Sequence, residues 1–513
     1  MTRLLAAFLI FAAALPVAKA DFICLKDGRF VEGKKMSRTD GGIKIAFDNG
    51  EVFVPEAMIG DVMIEGEALA EPKTDEERAQ AEKGMVRFEG KWMSPKTRED
   101  QLKKRLDKRL KDLETFKAHS EWRNRYTEKS KNFEFEYTIP PDVFENYRDL
   151  MEAYFAQFMR DWKLTPPKGL GRLKVCLYSD YGEMIQTGGA GGGVLGYFRF
   201  VAPMELNFFH DRLDTAFTEE VMFHETNHYL QKLIDMDFSM PHFPGESLAE
   251  YYGASKWDPV KKKLTTGLIL EGRLVEVQDD IAGGTMMDLK KLISTDRMYE
   301  HYNWGWALVH FLMNDKRYTA KFQKFIVSLP SAKDIKRELN GMNLKDVEQT
   351  EVAAAFMRYL DIKDDAALKE LEKEWHAYIK EKLTLVTTRG KEEAAKSAAQ
   401  SGRPLKAKRL YKEAITAGTA NPMTYNKYAQ LLNWDGKNTE AHEMWKRAIA
   451  LDPLTGDYYW NMGLSMAGNR KTNKDEKDKQ EGERLKKLAK EIEPGGSFSQ
   501  WDLVEITSQP GDG

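Results

Sequence analysis

The residues best placed to do chemistry stand together at Phe223-His224-Glu225-Thr226-Asn227-His228-Tyr229-Leu230. Two histidines four apart lie about one turn apart on a single face of a helix. From there both imidazoles can reach one tetrahedral zinc ion. Glu225, beside the first histidine, can take a proton from water activated by that ion. The run from Thr218 to Leu233 contains no proline or glycine, so the helix can extend on both sides of the pair. The plain alternative is a surface helix whose two histidines are merely hydrogen-bonded.

Zinc catalysis needs three protein ligands and one open position. A third histidine six residues further on, preceded by glycine, would mark the metzincin pattern, but this chain has Gln231 and Ile234 at those places. That class is excluded. An acidic ligand from the next helix is the alternative, and Pro244-Gly245-Glu246-Ser247-Leu248-Ala249-Glu250-Tyr251-Tyr252 offers two carboxylates one turn apart. His242 is a rival ligand from the loop before it.

These two segments together resemble the gluzincin metallopeptidases, whose second helix carries a glutamate ligand followed one turn later by an acidic residue. The resemblance implies that Glu246 is the third zinc ligand. It also implies that Glu250 accepts a hydrogen bond from a ligand histidine and fixes its tautomer. Tyr299-Glu300-His301-Tyr302-Asn303-Trp304-Gly305 is similar to the Tyr-x-x-Gly helix start of the aminopeptidase branch. There the tyrosine donates to the oxyanion of the tetrahedral intermediate, which would be the task of Tyr302. Its competing role is an aromatic packed in the core, and His301 is a second candidate for the donor. The resemblance further implies that Met204 to Phe209 is the edge strand along which an extended substrate lies, with Glu205 and Asn207 as substrate-binding residues. The Gly-x-Met-Glu-Asn signature that holds a free amine in the aminopeptidases is missing, so aminopeptidase activity is not implied. Residues 130–385 as a whole are similar to exported peptidase-MA-like proteins that carry helical repeats.

Around these residues the chain reads as a multidomain protein of 513 residues. Residues 1–20 have Arg3, an apolar run from Leu4 to Leu15 and Ala18-Lys19-Ala20, which is the pattern of a signal peptide. Residues 21–66 alternate apolar and polar positions between Asp27-Gly28, Asp40-Gly41 and Asp48-Asn49-Gly50, and predict a small SH3-like β-barrel. Residues 67–130 are a charged helical linker with a short hairpin near Val86 to Trp92. Residues 131–385 form the metallopeptidase-like domain, expected as α+β because strands precede the histidine helix and helices follow it. The glycine run 188–193 lacks the Lys-Ser/Thr of a phosphate loop and is read as a loop beside an active-site strand.

In residues 390–490, Ala407 to Ile415 aligns with Ala441 to Ile449 at an offset of 34, as 445 minus 411 shows for Trp445 and Tyr411. The segment resembles tetratricopeptide repeats, about two of them. Residues 491–513 are a loose tail. The formal net charge of -3 gives no reason to expect nucleic acid, and nothing after residue 20 is long and apolar enough to span a membrane. Cys24 and Cys176 fall in different domains, so a disulfide is not expected.

The expected function is an exported, periplasmic or extracellular zinc metallopeptidase. His224, His228 and Glu246 hold the metal, Glu225 is the general base, a peptide or protein is the substrate, and a protein partner binds through the repeats. The rival is an exported scaffold whose repeats and SH3-like part bind partners around a structural or vestigial zinc site. Glu225 favours the enzyme, because a purely structural site needs no base.

Overall fold

The computed structural model describes residues 21–26, 29–32, 34–64, 74–88, 91–336, 339–340, 343–344, 348–468 and 475–493. The expected signal peptide, the first part of the linker and nearly all of the tail lie outside the described residues. The described residues divide into two compact units, one within 103–419, the other within 21–102 and 420–493. The chain is thus multidomain, with an N-terminal sheet region, a central region of mixed sheet and helix, and a C-terminal helical region.

The larger unit is built on a five-stranded sheet in the order Gly196–Arg199, Glu205–Phe209, Leu173–Tyr178, Phe133–Tyr137, Tyr126–Lys129. Its three inner strands are parallel, with Phe133 opposite Leu173 and Lys174 opposite Glu205, and the two outer strands run antiparallel. Alternation places Phe133, Phe135 and Tyr137 in the core while Glu134 and Glu136 face outward. Leu173–Tyr178 is buried at five of six positions, as an inner strand covered on both faces requires. Helix Pro141–Asp161 opens on a proline at its first turn and buries Phe144, Tyr147, Leu150, Met151, Tyr154, Phe155, Phe158 and Met159.

The expected succession of strands and then helices is met only in part, because helical crossovers join the parallel strands before the helix-rich half begins. One core runs through both halves, from Phe133 and Tyr154 through Phe223 and Tyr229 to Trp304, Trp306 and Trp375.

In the smaller unit, two of the three expected turn signals form hairpins, and Asp27-Gly28 lies outside the described residues. Asp40-Gly41 and Asp48-Asn49 are two-residue turns, and Gly41 has φ +78°, a conformation that suits glycine. The strands do not close into a barrel among the described residues. They form two three-stranded antiparallel sheets, Phe30–Glu32 with Phe22–Leu25 and Ile59–Met63, and Lys35–Thr39 with Gly42–Phe47 and Gly50–Pro55.

Nor is this β module a separate body. Ile23, Ile43, Ile45, Val52 and Val54 share one hydrophobic core with Trp445, Leu454, Leu485 and Leu488 from the far end of the chain. Arg29 pairs with Asp452 at 2.8 Å, and the Asn49 backbone N–H donates to Glu491 at 3.2 Å. Six open strands leave apolar faces that must be covered, and the C-terminal helices cover them.

Three helical hairpins follow residue 387, namely Thr388–Gln400 with Pro404–Thr416, Pro422–Trp434 with Asn438–Leu451, and Gly456–Ala467 with Glu476–Ile492. Their first helices begin 34 residues apart, as 422 minus 388 and 456 minus 422 show. The first hairpin belongs to the larger unit and the other two to the smaller. Among the described residues no disulfide forms, and no helix is long and apolar enough to cross a membrane. Burial pushes the Cys176 thiol up to about 12.

Candidate metal centre

Helix Thr215–Lys232 carries the histidine pair. Asp214 caps its start by accepting from the Phe217 N–H at 3.1 Å. Met222, Phe223, Thr226, Tyr229 and Leu230 anchor the helix in the core, leaving His224 and His228 partly exposed on another face. Helix His242–Gly253 carries the glutamates. Gln231 ties the two helices together, its amide donating to Gly245 O at 2.9 Å and to Asn227 Oδ1 at 2.6 Å. The residue that stands where the metzincin pattern has glycine thus fixes the backbone next to Glu246.

Three donor atoms converge. His224 Nε2 and His228 Nε2 are 3.3 Å apart, and Glu246 Oε2 lies 3.3 Å from the first and 3.5 Å from the second. For ligand bonds of about 2.0–2.2 Å, the edges of a coordination tetrahedron are about 3.3–3.6 Å, so these atoms already form one face of it. Glu246 Oε2 is buried and has no aligned hydrogen-bond donor. A buried carboxylate oxygen facing two imidazole nitrogens calls for a cation to join them. The residues therefore could hold a metal ion, and His224, His228 and Glu246 are the only such convergent group among the described residues. His242 is exposed at the start of its helix and takes no part.

Glu250 is buried behind the cluster, with Oε1 3.4 Å from His224 Nδ1. Arg273 grips it from the other side, through Nε at 2.7 Å and Nη2 at 3.1 Å. Burial alone pushes the Glu250 carboxyl up, but the Arg273 charge and the His224 hydrogen bond outweigh it and hold it at about 2. Glu250 therefore stays an anion, and by engaging His224 Nδ1 it leaves Nε2 facing Glu246 and His228. Burial likewise opposes charge on His224 and Glu246, and their mutual attraction wins. The imidazole is raised well above its usual range and the carboxyl falls well below it.

Glu225 Oε2 accepts from the Phe198 backbone N–H at 3.2 Å. Burial raises its carboxyl, opposed mainly by the charges of His224 and His228, making it a stronger proton acceptor than an exposed glutamate. Tyr302 begins helix Tyr302–Asn314, with its ring 6.0 Å from that of His224 and the Arg273 guanidinium 5.3 Å from its centre. Burial, followed by the Glu246 and Glu250 charges, raises its phenol and keeps it a hydrogen-bond donor. Gly305, one turn on, lets this helix approach Ser247 closely. Burial lowers His301, leaving its ring neutral, and no contact joins it to the cluster among the described residues.

The expected edge strand carrying Glu205 and Asn207 is corrected by the sheet order. Their strand is internal, and the edge strand is Gly196–Arg199, paired antiparallel to it. Glu205 pairs with Arg199 at 3.0 Å, while wholly buried Asn207 accepts from the Tyr178 hydroxyl at 2.9 Å. Gln231, Phe198 and Arg273 escaped the sequence reading because the partners that tie them to the site, Gly245, Glu225 and Glu250, stand 14 to 27 residues away. The local pairs Gln231 with Asn227 and Arg273 with Glu276 are the only sequence-near signals among these contacts. No family model matches this chain, and no curated protein matches it.

Proposed function

We propose that this chain is a zinc-dependent metallopeptidase of the gluzincin type that cleaves amide bonds in extended peptide or protein substrates. The observation that carries the reading is the face of three donor atoms at 3.3, 3.3 and 3.5 Å with a carboxylic base beside it. A bound zinc ion supplies Lewis acidity toward the scissile carbonyl and the attacking water. Glu225 takes the water proton and passes it to the leaving nitrogen, with the Phe198 N–H keeping its carboxylate in place. Tyr302 donates to the developing oxyanion. The open edge of Gly196–Arg199, on the strand whose Phe198 touches Glu225, offers backbone groups to an extended chain.

Export by the N-terminal segment, an SH3-like role for the β module and partner binding by tetratricopeptide-like hairpins complete the proposal. The 34-residue spacing of the hairpins supports the last of these. Glu225→Gln tests the reading directly, because it should keep stoichiometric zinc and lose peptide hydrolysis. Hydrolysis at the wild-type rate by that variant removes Glu225 from the mechanism. Zinc bound without cleavage of any peptide in a library supports the scaffold instead.

A further inference from the structure

The residues that hold Glu250 lead out of the cluster and into the first helical hairpin. Arg273 uses Nε and Nη2 on Glu250, and its remaining nitrogen, Nη1, donates to Glu276 Oε2 at 3.0 Å and to Ser397 Oγ at 3.3 Å. The Ser397 hydroxyl in turn donates to Glu276 Oε1 at 2.8 Å. One hydroxyl thus accepts from the arginine and donates to the carboxylate, using both of its capacities. Glu250 and Glu276 are both buried at 4% exposure, where an incompletely paired charge is expensive.

Ser397 lies on helix Thr388–Gln400, which is pressed against helix Glu271–Ala282. A Cβ on Gly272 would stand 2.8 Å from Glu393 Cβ, and one on Gly390 would stand 2.9 Å from Glu271 O, so both glycines are needed for the approach. The Gly272 N–H donates to Glu393 at 3.1 Å across the same contact. Lys396, next to Ser397, pairs with Asp214 at 2.8 Å and sits 3.3 Å above the Phe217 ring. Asp214 is the cap of the histidine helix. Two adjacent residues of one helix therefore reach the start of the helix that carries His224 and the arginine behind Glu250.

We propose that helix Thr388–Gln400 braces the metal centre, with Ser397 a positioning residue that acts through Arg273 and Glu250 on His224. The proposal rests on the reading that the cluster binds a divalent cation and adds a distant support for its geometry. Without Ser397, Arg273 and Glu276 each lose a partner, and the guanidinium, still held by Glu250 and Glu276, is less firmly fixed. Glu250 then loosens its hold on His224 Nδ1, and with it the tautomer and orientation of the ligand ring.

The test uses the full chain, stripped of metal and titrated with zinc against a chromophoric chelator. Loss of an outer partner at a metal site lowers affinity by about 10- to 100-fold, and Ser397 acts one contact further out, so Ser397→Ala should weaken zinc binding about three- to tenfold. Ser397→Thr, which keeps the hydroxyl, should restore it, and Ser401→Ala at the exposed end of the same helix should leave it unchanged. Hydrogen exchange on the metal-free chain gives a second readout, with Ser397→Ala speeding exchange in His242–Gly253. Wild-type zinc affinity together with wild-type exchange in Ser397→Ala overturns the brace. Should the unmodified chain bind no zinc, the metallopeptidase reading fails, and exchange alone decides the brace: faster exchange upholds it and unchanged exchange overturns it.

Discussion

Replacing Glu246 by glutamine leaves the volume at this position nearly constant and removes one of three converging ligands together with its charge. In the metal-free protein the change keeps the shape but removes the charge attraction between Glu246 and the two imidazoles, so the comparison is made on the zinc-induced shift of each protein and not on their metal-free stabilities. In the zinc-loaded protein the change removes a bond to the ion. Losing even an outer partner of a metal site lowers affinity by about 10- to 100-fold, so losing a direct ligand should lower it by about 100-fold or more.

Folding linkage turns that into a measurable shift. At free zinc about 100 times the wild-type dissociation constant, the ion stabilises the folded unit by about 2.7 kcal/mol, and the variant gains only about 0.4 kcal/mol. For a unit of this size each kcal/mol moves Tm by about 2 °C, giving shifts of about 5 °C and 1 °C. Calorimetry with chelated and zinc-loaded protein measures both, and only the transition of the unit holding residues 103–419 should move. Equal zinc-induced shifts in the wild type and Glu246→Gln would falsify the assignment of Glu246 as a ligand.

Gly305→Ala should destabilise the larger unit by about 1–3 kcal/mol, because the new Cβ would meet Met298 Cε at 2.2 Å and Ser247 Oγ at 2.4 Å. Chemical denaturation reads the loss, and hydrolysis should fall as well, since Tyr302 and Glu246 lie on the two helices forced apart. Burial lowers His310 to about 4, against about 6.5 in an unfolded chain, so the folded state binds fewer protons between those values. The stability this confers is present above pH 6.5 and lost as pH falls toward 4, amounting to about 3 kcal/mol at most. His310→Phe should flatten stability against pH across that window in urea titrations, and an unchanged slope would assign the acid sensitivity to other groups.

Much of the candidate site was legible in the sequence because its decisive spacings are local. A period of 3.6 residues forces His224 and His228 onto one face and puts Glu225 beside them, whatever the rest of the chain does. The same period placed Glu246 and Glu250 one turn apart, and the two-residue turns at Asp40-Gly41 and Asp48-Asn49 followed from backbone preference alone. The 34-residue offset announced helical hairpins, although alanine-rich Thr388–Gln400, the first helix of the first hairpin, was not part of the alignment.

Tertiary structure alone decided what those local pieces meet. Alternation marks a strand but not its neighbours, so Glu205–Phe209 looked like an edge until Gly196–Arg199 folded back beside it. Nothing local links Glu250 to Arg273, or Arg273 to Ser397 124 residues away, because a buried charge is satisfied by whichever element packs against it. For the same reason the N-terminal strands share a core with the last helices of the chain, since apolar faces are covered by proximity in space and not by order in sequence.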